Sequence, residues 1–247
     1  MSDRIALFAC RPQEELLREL IKDSPFSFEL TVLPMTLHND IDRLRAWLAD
    51  RIACSEGYSA LYFCMGLCGG AVKGIRGGRV PCVFVRAHDC ITFALGSRER
   101  YMRLFRQVPG TYYFTPGWLE AMKNREADSE QFVLDEGGMA ALKKSLTEAY
   151  GEDNGEFLFE MQTSWIRNYS RAMFIASPRS EKPGQREYLE DICRRCGWEQ
   201  VSETEDLRLL EDLAAGRVDS GDFLVLRQGY EVYETGDDRV IDVRPYL

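Results

Sequence analysis

Arg4-Ile5-Ala6-Leu7-Phe8-Ala9-Cys10 is the stretch that decides the fold. Its apolar run has no polar interruption, which is the pattern of a strand covered on both faces; a half-exposed strand would alternate. Pro12 follows at a position a helix start tolerates. Leu16, Leu17, Leu20 and Ile21 then give the next helix one apolar stripe.

The same strand-then-helix unit recurs downstream. Residues 28–33 read as a second strand ended by Pro34, and Asn39 or Asp40 caps a helix carrying Ile41, Leu44, Leu48 and Ile52. Residues 60–65, 81–86 and 111–114 read as the third, fourth and fifth strands. Helical patterns lie between them at 91–95 and 98–107, the latter capped by Ser97. This alternation predicts an α/β fold: a largely parallel sheet with helices on both faces. Right-handed crossovers then place every strand's carboxyl end on one edge.

Beyond Trp118 the pattern gives helices over 132–150 and 156–169, a strand at 171–177 and a helix ending near Cys196-Gly197. A helix at 207–215, a late strand at 223–226 and a hairpin around Gly236-Asp237-Asp238 complete the chain. Residues 171–196 echo 4–20. Two similar, Rossmann-like halves, 1–125 and 126–247, are therefore one arrangement, and one mixed sheet is the other.

The chain has 247 residues, is 45% apolar and carries a net charge of −9. That acidity argues against nucleic acid and anionic lipid as partners, because both need a basic surface. No apolar run approaches the ~20 residues needed to span a membrane, and the first residues are too quickly structured for a signal peptide. A cytoplasmic protein is expected, with its eight cysteines reduced. Neither nucleotide-binding glycine fingerprint is present, and there is no G-x-S-x-G nucleophile elbow.

The cysteines and the only two histidines carry the chemistry. Cys10, His38, Cys64 with Cys68, and His88 with Cys90 each fall at or just after the end of a predicted strand. In an open α/β sheet that edge is where ligands bind. Thiolate and imidazole are the donors zinc takes, usually four of them. Cys68 stands at the turn Gly66-Leu67-Cys68-Gly69-Gly70, whereas Cys64 lies in the strand, where a thiol is also an ordinary core residue. Gly69 and Gly70 let the backbone approach a bound group and aim N–H groups at it. His88-x-Cys90 puts two donors on one side of an extended backbone. The expected metal ligands are Cys10, His38, Cys68, His88 and Cys90. Asp89 either orients a ligand imidazole or caps the helix that follows. Arg86 is an expected substrate anchor, and Ser97 with Arg98 an anion-binding helix start. An iron–sulfur cluster is the alternative occupant, although the tight Cys-x-x-Cys runs of ferredoxins are missing. Cys193-Arg-Arg-Cys196 closes a helix instead of opening one, so it does not have the geometry of a redox pair. Cys54 and Cys82 read as structural.

Several fragments carry a family likeness: Ala9-Cys10, Leu37-His38-Asn39, Gly66-Leu67-Cys68-Gly69, Arg86-Ala87-His88-Asp89-Cys90-Ile91, Leu95-Gly96-Ser97-Arg98 and the run from Thr111 to Trp118. On these the chain resembles the domain of unknown function 1638 family of anaerobic archaea and bacteria. Members often lie near genes for corrinoid-dependent methyltransferases. The resemblance therefore implies a role in one-carbon metabolism, with a corrinoid protein or methyltransferase as partner. His88-x-Cys90 looks like the zinc element of methyltransferases that alkylate a thiol. The D-x-H-x-x-G signature of corrinoid carriers is missing, so the chain is not itself such a carrier. The expectation is a zinc protein that activates a thiolate or takes part in methyl transfer, with a small-molecule thiol or methyl donor as its partner. A non-catalytic metal-binding accessory of a methyltransferase and an iron–sulfur protein are the alternatives.

Overall fold

The computed structural model describes residues 3–33, 37–38, 40–124 and 133–246. Pro34, Asn39 and Phe132, on which expectations also fall, lie outside the described residues. The chain is α/β, and it divides into two compact units: Met1–Arg103 with Glu205–Leu247, and Leu104–Thr204. The division differs from halves at 1–125 and 126–247, because the chain returns to its first unit after Thr204.

The first unit is built on β1 (Arg4–Cys10), β2 (Ser27–Leu33), β3 (Ala60–Cys64) and β4 (Cys82–Val85), with α1 (Glu14–Leu20) and α2 (Ile41–Ala53) among them. Its sheet runs β2-β1-β3-β4 in parallel. A late strand, Phe223–Leu226, joins the β4 edge antiparallel and makes the sheet mixed. The chain steps from β1 to one side, then crosses β1 to lay down β3 on the other. The ends of β1 and β3 therefore flank the point where strand order reverses, the crevice where such sheets take ligands.

Period-two alternation sorts the side chains of β1. Ala6, Phe8 and Cys10 pack with Leu44, Leu48 and Ile52 of α2 on one face. Ile5, Leu7 and Ala9 pack with Leu17 of α1 and with Leu209, Leu210 and Leu213 on the other. Phe8, Phe63 and Phe84 sit in register across three strands. Their rings stack at 5.0 Å and 4.6 Å, and Trp47 meets Phe8 edge-on at 5.5 Å. Each such pair adds about 0.5–1.5 kcal/mol beyond burial. A one-residue slip would turn every ring to the wrong face, so the row fixes where each strand ends. Asp40 caps α2, accepting from the backbone N–H of Asp42 and Arg43 at 3.1 and 3.0 Å.

From β4 the chain forms α3 (Ile91–Leu95) and α4 (Arg98–Gln107). The second unit holds β5 (Thr111–Phe114), α5 (Pro116–Lys123), α6 (Glu136–Tyr150), α7 (Glu152–Thr163), β6 (Arg171–Ala176), α8 (Gln185–Cys196) and β7 (Glu199–Thr204). Its three strands form a separate parallel sheet, β5-β6-β7. The fifth strand, expected to extend the first sheet, is thus an edge of the second. β7 was not expected from the sequence: Glu-Gln-Val-Ser-Glu-Thr carries one apolar residue and leaves no side chain fully buried. Such a strand is a polar edge, held by its ladder and not by a core face. The chain ends with α9 (Arg208–Ala214), β8 (Phe223–Leu226) and the hairpin of β9 (Tyr230–Glu234) with β10 (Ile241–Pro245). Among the described residues no helix is long and apolar enough to cross a membrane.

Candidate functional site: a thiol cluster at the carboxyl edge

Two turns beyond the sheet edge are locked together. Leu67 N–H donates to Ala87 O at 2.7 Å, and Cys68 N–H to His88 O at 2.9 Å. The approach requires glycine at 66, where a Cβ would lie 2.3 Å from Ala87 O. The turn then takes three consecutive residues through the left-handed region: Cys68 at φ 45°, Gly69 at 68° and Gly70 at 98°. Glycine does this freely, but cysteine does not. Left-handed backbone costs an L-residue roughly 1–2 kcal/mol, and strain of this kind concentrates at functional sites.

The turns bring four thiols to the same sheet edge. Cys10 ends β1, Cys64 ends β3, Cys68 sits in the turn after β3, and Cys90 precedes α3. Cys10 and Cys68 border the core on one face of the sheet, and Cys64 and Cys90 border the core on the other. The charges of Cys68, Cys90 and Cys64 reach Cys10 at the strand ends. Burial pushes the Cys10 thiol well above its ordinary value, and Cys68, Cys90 and Cys64 push it further. Cys64 is raised by burial, then by Cys90 and Cys68. Burial takes Cys68 up to about 12, against a backbone hydrogen bond from Gly66 and with a further push from Asp89. Cys90 is raised by burial, then by Asp89 and Cys68. Burial thus favours the neutral thiol at each of these sulfurs.

His38 Nε2 lies 3.2 Å from Cys10 Sγ. Of the expected ligands, Cys10, His38, Cys68 and Cys90 are brought to this edge, and Cys64 joins them. His88 gives the site its backbone carbonyl, while its ring stands beside Tyr101 with centroids 6.1 Å apart. Asp89 takes the capping role: Oδ1 accepts from Ile91 N–H at 3.0 Å and Oδ2 from the Tyr101 hydroxyl at 3.2 Å. Burial raises its carboxyl above the ordinary value, against those bonds.

The expected anchors hold the fold. The Arg86 guanidinium donates to Phe223 O at 3.3 Å, to Ile241 O, and to Asp242 Oδ1 at 3.2 Å. Arg98 reaches Asp238 O at 2.6 Å and Gly221 O at 3.3 Å. Ser97 Oγ caps α4 by accepting from Arg100 N–H at 3.0 Å. Gly70 O receives Arg45 at 3.0 Å, and a Cβ at Gly69 would touch Ile41 at 3.1 Å. Cys193 and Cys196, within α8, are both raised to about 11 by burial.

One residue of the site went unread in the sequence. Gln13, three positions after Cys10, is buried, and its side chain acts on the Cys90 thiol as a hydrogen-bond donor does, against the burial that raises it. A signal existed: position 13 lies one helical turn before Leu17 and would be apolar if it served packing alone.

Thiols with an imidazole are the donors zinc and other thiophilic ions take, so the chemistry of the set fits such an ion. Among the described residues, no group of three or more His, Cys, Asp or Glu side chains is placed so that it could hold a metal ion.

This α/β chain, with its thiol-lined sheet edge, matches the family model described as "Protein of unknown function (DUF1638)" over residues 32–214. The match covers well over half of the chain, and the protein belongs to that family. Neither the curated proteins nor the solved structures gave a match.

Proposed function

We propose that this protein binds a thiophilic metal ion, zinc, at the thiol cluster and activates a small thiol for methyl transfer. On this reading it serves corrinoid-dependent methyltransferases in the reducing interior of an anaerobic cell. One observation carries the proposal: Cys10, Cys64, Cys68 and Cys90 arrive from three strand ends at the point where strand order reverses, with His38 on Cys10. Cys10, Cys68 and Cys90 would hold the ion, with His38 or Cys64 completing the set. Zinc bound there supplies positive charge that keeps thiols deprotonated near neutral pH. The chain's own part is to fix the donors: the Phe8-Phe63-Phe84 row sets the strand ends, and the Ala87 and His88 carbonyls hold the Cys68 turn.

A second reading is favoured by Cys64. With it the edge carries four thiols, the number that holds an iron–sulfur cluster.

Metal analysis of anaerobically purified protein, with an absorption spectrum of the same sample, tests both. About one zinc per chain and no visible band supports the first reading. Iron with sulfide and a brown colour replaces it with the second. Protein that takes up neither metal on reconstitution sinks both.

A further inference from the structure

We propose that Gln13 contacts the ligand of the thiol site, with its Oε1 accepting a hydrogen bond from a donor group the ligand carries in. The inference rests on the reading of the thiol cluster as a metal site. Gln13 belongs to the turn Cys10-Arg11-Pro12-Gln13 that leaves β1 at the strand-order reversal. Only 5% of it is exposed.

The two ends of its amide differ. The side chain lies within reach of Cys90, and because Oε1 has no partner the amide N–H end is the one turned to that thiol. The other end, Oε1, is sealed from solvent with no hydrogen-bond partner among the described residues. A buried amide oxygen without a donor weakens a fold. Packing gives no reason for it, because the next residue on that helical face is Leu17, fully buried in the apolar core. A methionine of similar size would suit the stripe better. The amide therefore belongs to the site: one end holds Cys90, and the other waits for a donor brought by whatever the thiols bind.

Gln13→Met tests this with zinc alone as the probe, the donor for Oε1 being the water that zinc would carry into the site. Two quantities are measured: thermal unfolding of metal-free protein, and zinc affinity by competition with a chelator. The proposal expects the metal-free variant to melt at or above the wild-type temperature. It also expects zinc affinity to fall 10- to 100-fold, as for residues that support metal ligands. A variant that melts lower without metal makes Gln13 a packing residue, and the proposal fails whatever its zinc affinity. An unchanged melt with unchanged zinc affinity also overturns it, since Oε1 then contacts only trapped water. Wild-type protein that binds no zinc sinks the metal reading by itself. The metal-free melt then still decides Gln13: a gain in the variant keeps it a ligand contact, and no gain ends the proposal.

Discussion

A Cβ on Gly66 would stand 2.3 Å from the Ala87 carbonyl oxygen and 2.7 Å from its carbon. The obstacle is backbone, so it cannot swing aside. Gly66→Ala must separate the turns after β3 and β4, breaking the Leu67–Ala87 and Cys68–His88 hydrogen bonds. The expected loss is roughly 1–3 kcal/mol of stability, in the range of forced overpacking. Chemical denaturation measures it, and a variant as stable as wild type would refute this picture of the locked turns.

Cys68→Ser keeps the size of the side chain and removes the soft donor. The variant should fold with near-normal stability and lose most bound metal. Full metal content in purified Cys68→Ser protein would remove Cys68 from the ligand set. Its left-handed backbone would then have no functional account.

Arg86 separates a fold role from a substrate role. Its guanidinium joins β4 to the Phe223 and Ile241 carbonyls and to Asp242. Arg86→Met should lower stability by roughly 2–4 kcal/mol, because partly buried acceptors and a carboxylate lose their donor. A residue that only anchored substrate would leave the melting curve unchanged.

The buried thiols make the fold sensitive to alkali. Burial pushes Cys82 from 9.0 up to about 12, and burial of Cys68 has the same effect. In the unfolded chain these thiols ionise near the ordinary value. A folded pKa above the unfolded one means the stability is fully present below about pH 9 and drains away toward pH 12. Melting temperature should fall across that interval. Cys82→Ala, less stable at pH 7, should lose less on the way up. Parallel pH profiles for the two proteins would contradict the assignment to Cys82.

Much of this was legible in the residues. The apolar run of β1 and the strand–helix alternation after it gave the sheet and its ligand edge, because buried parallel strands advertise themselves by unbroken hydrophobicity. Cys10, Cys68 and Cys90 could be placed at that edge from strand ends alone. What stayed hidden depends on pairing between distant segments. Nothing local to Thr111–Phe114 tells it to pair with β6 instead of β4, and β7 carries too little apolar surface to be seen. The spacing of His88 matches a metal element; that its ring also lies beside Tyr101 is a packing fact no spacing rule encodes. Arg86 looked free for substrate because its acceptors lie more than a hundred residues later.

The return of the chain to its first unit after Thr204 has a consequence for how the protein can be made. The ribosome delivers Cys10, His38, Cys64, Cys68 and Cys90 early, but α9 and β8, which help cover one face of that sheet and seal its edge, come only after Thr204. A nascent chain ending at Arg103 would carry the site's thiols on a sheet with an open strand and an apolar face that α1 covers only in part. Such an edge invites pairing with other chains. The thiol edge therefore cannot be cut out as an amino-terminal fragment and studied in isolation; its roof is encoded at the opposite end of the chain.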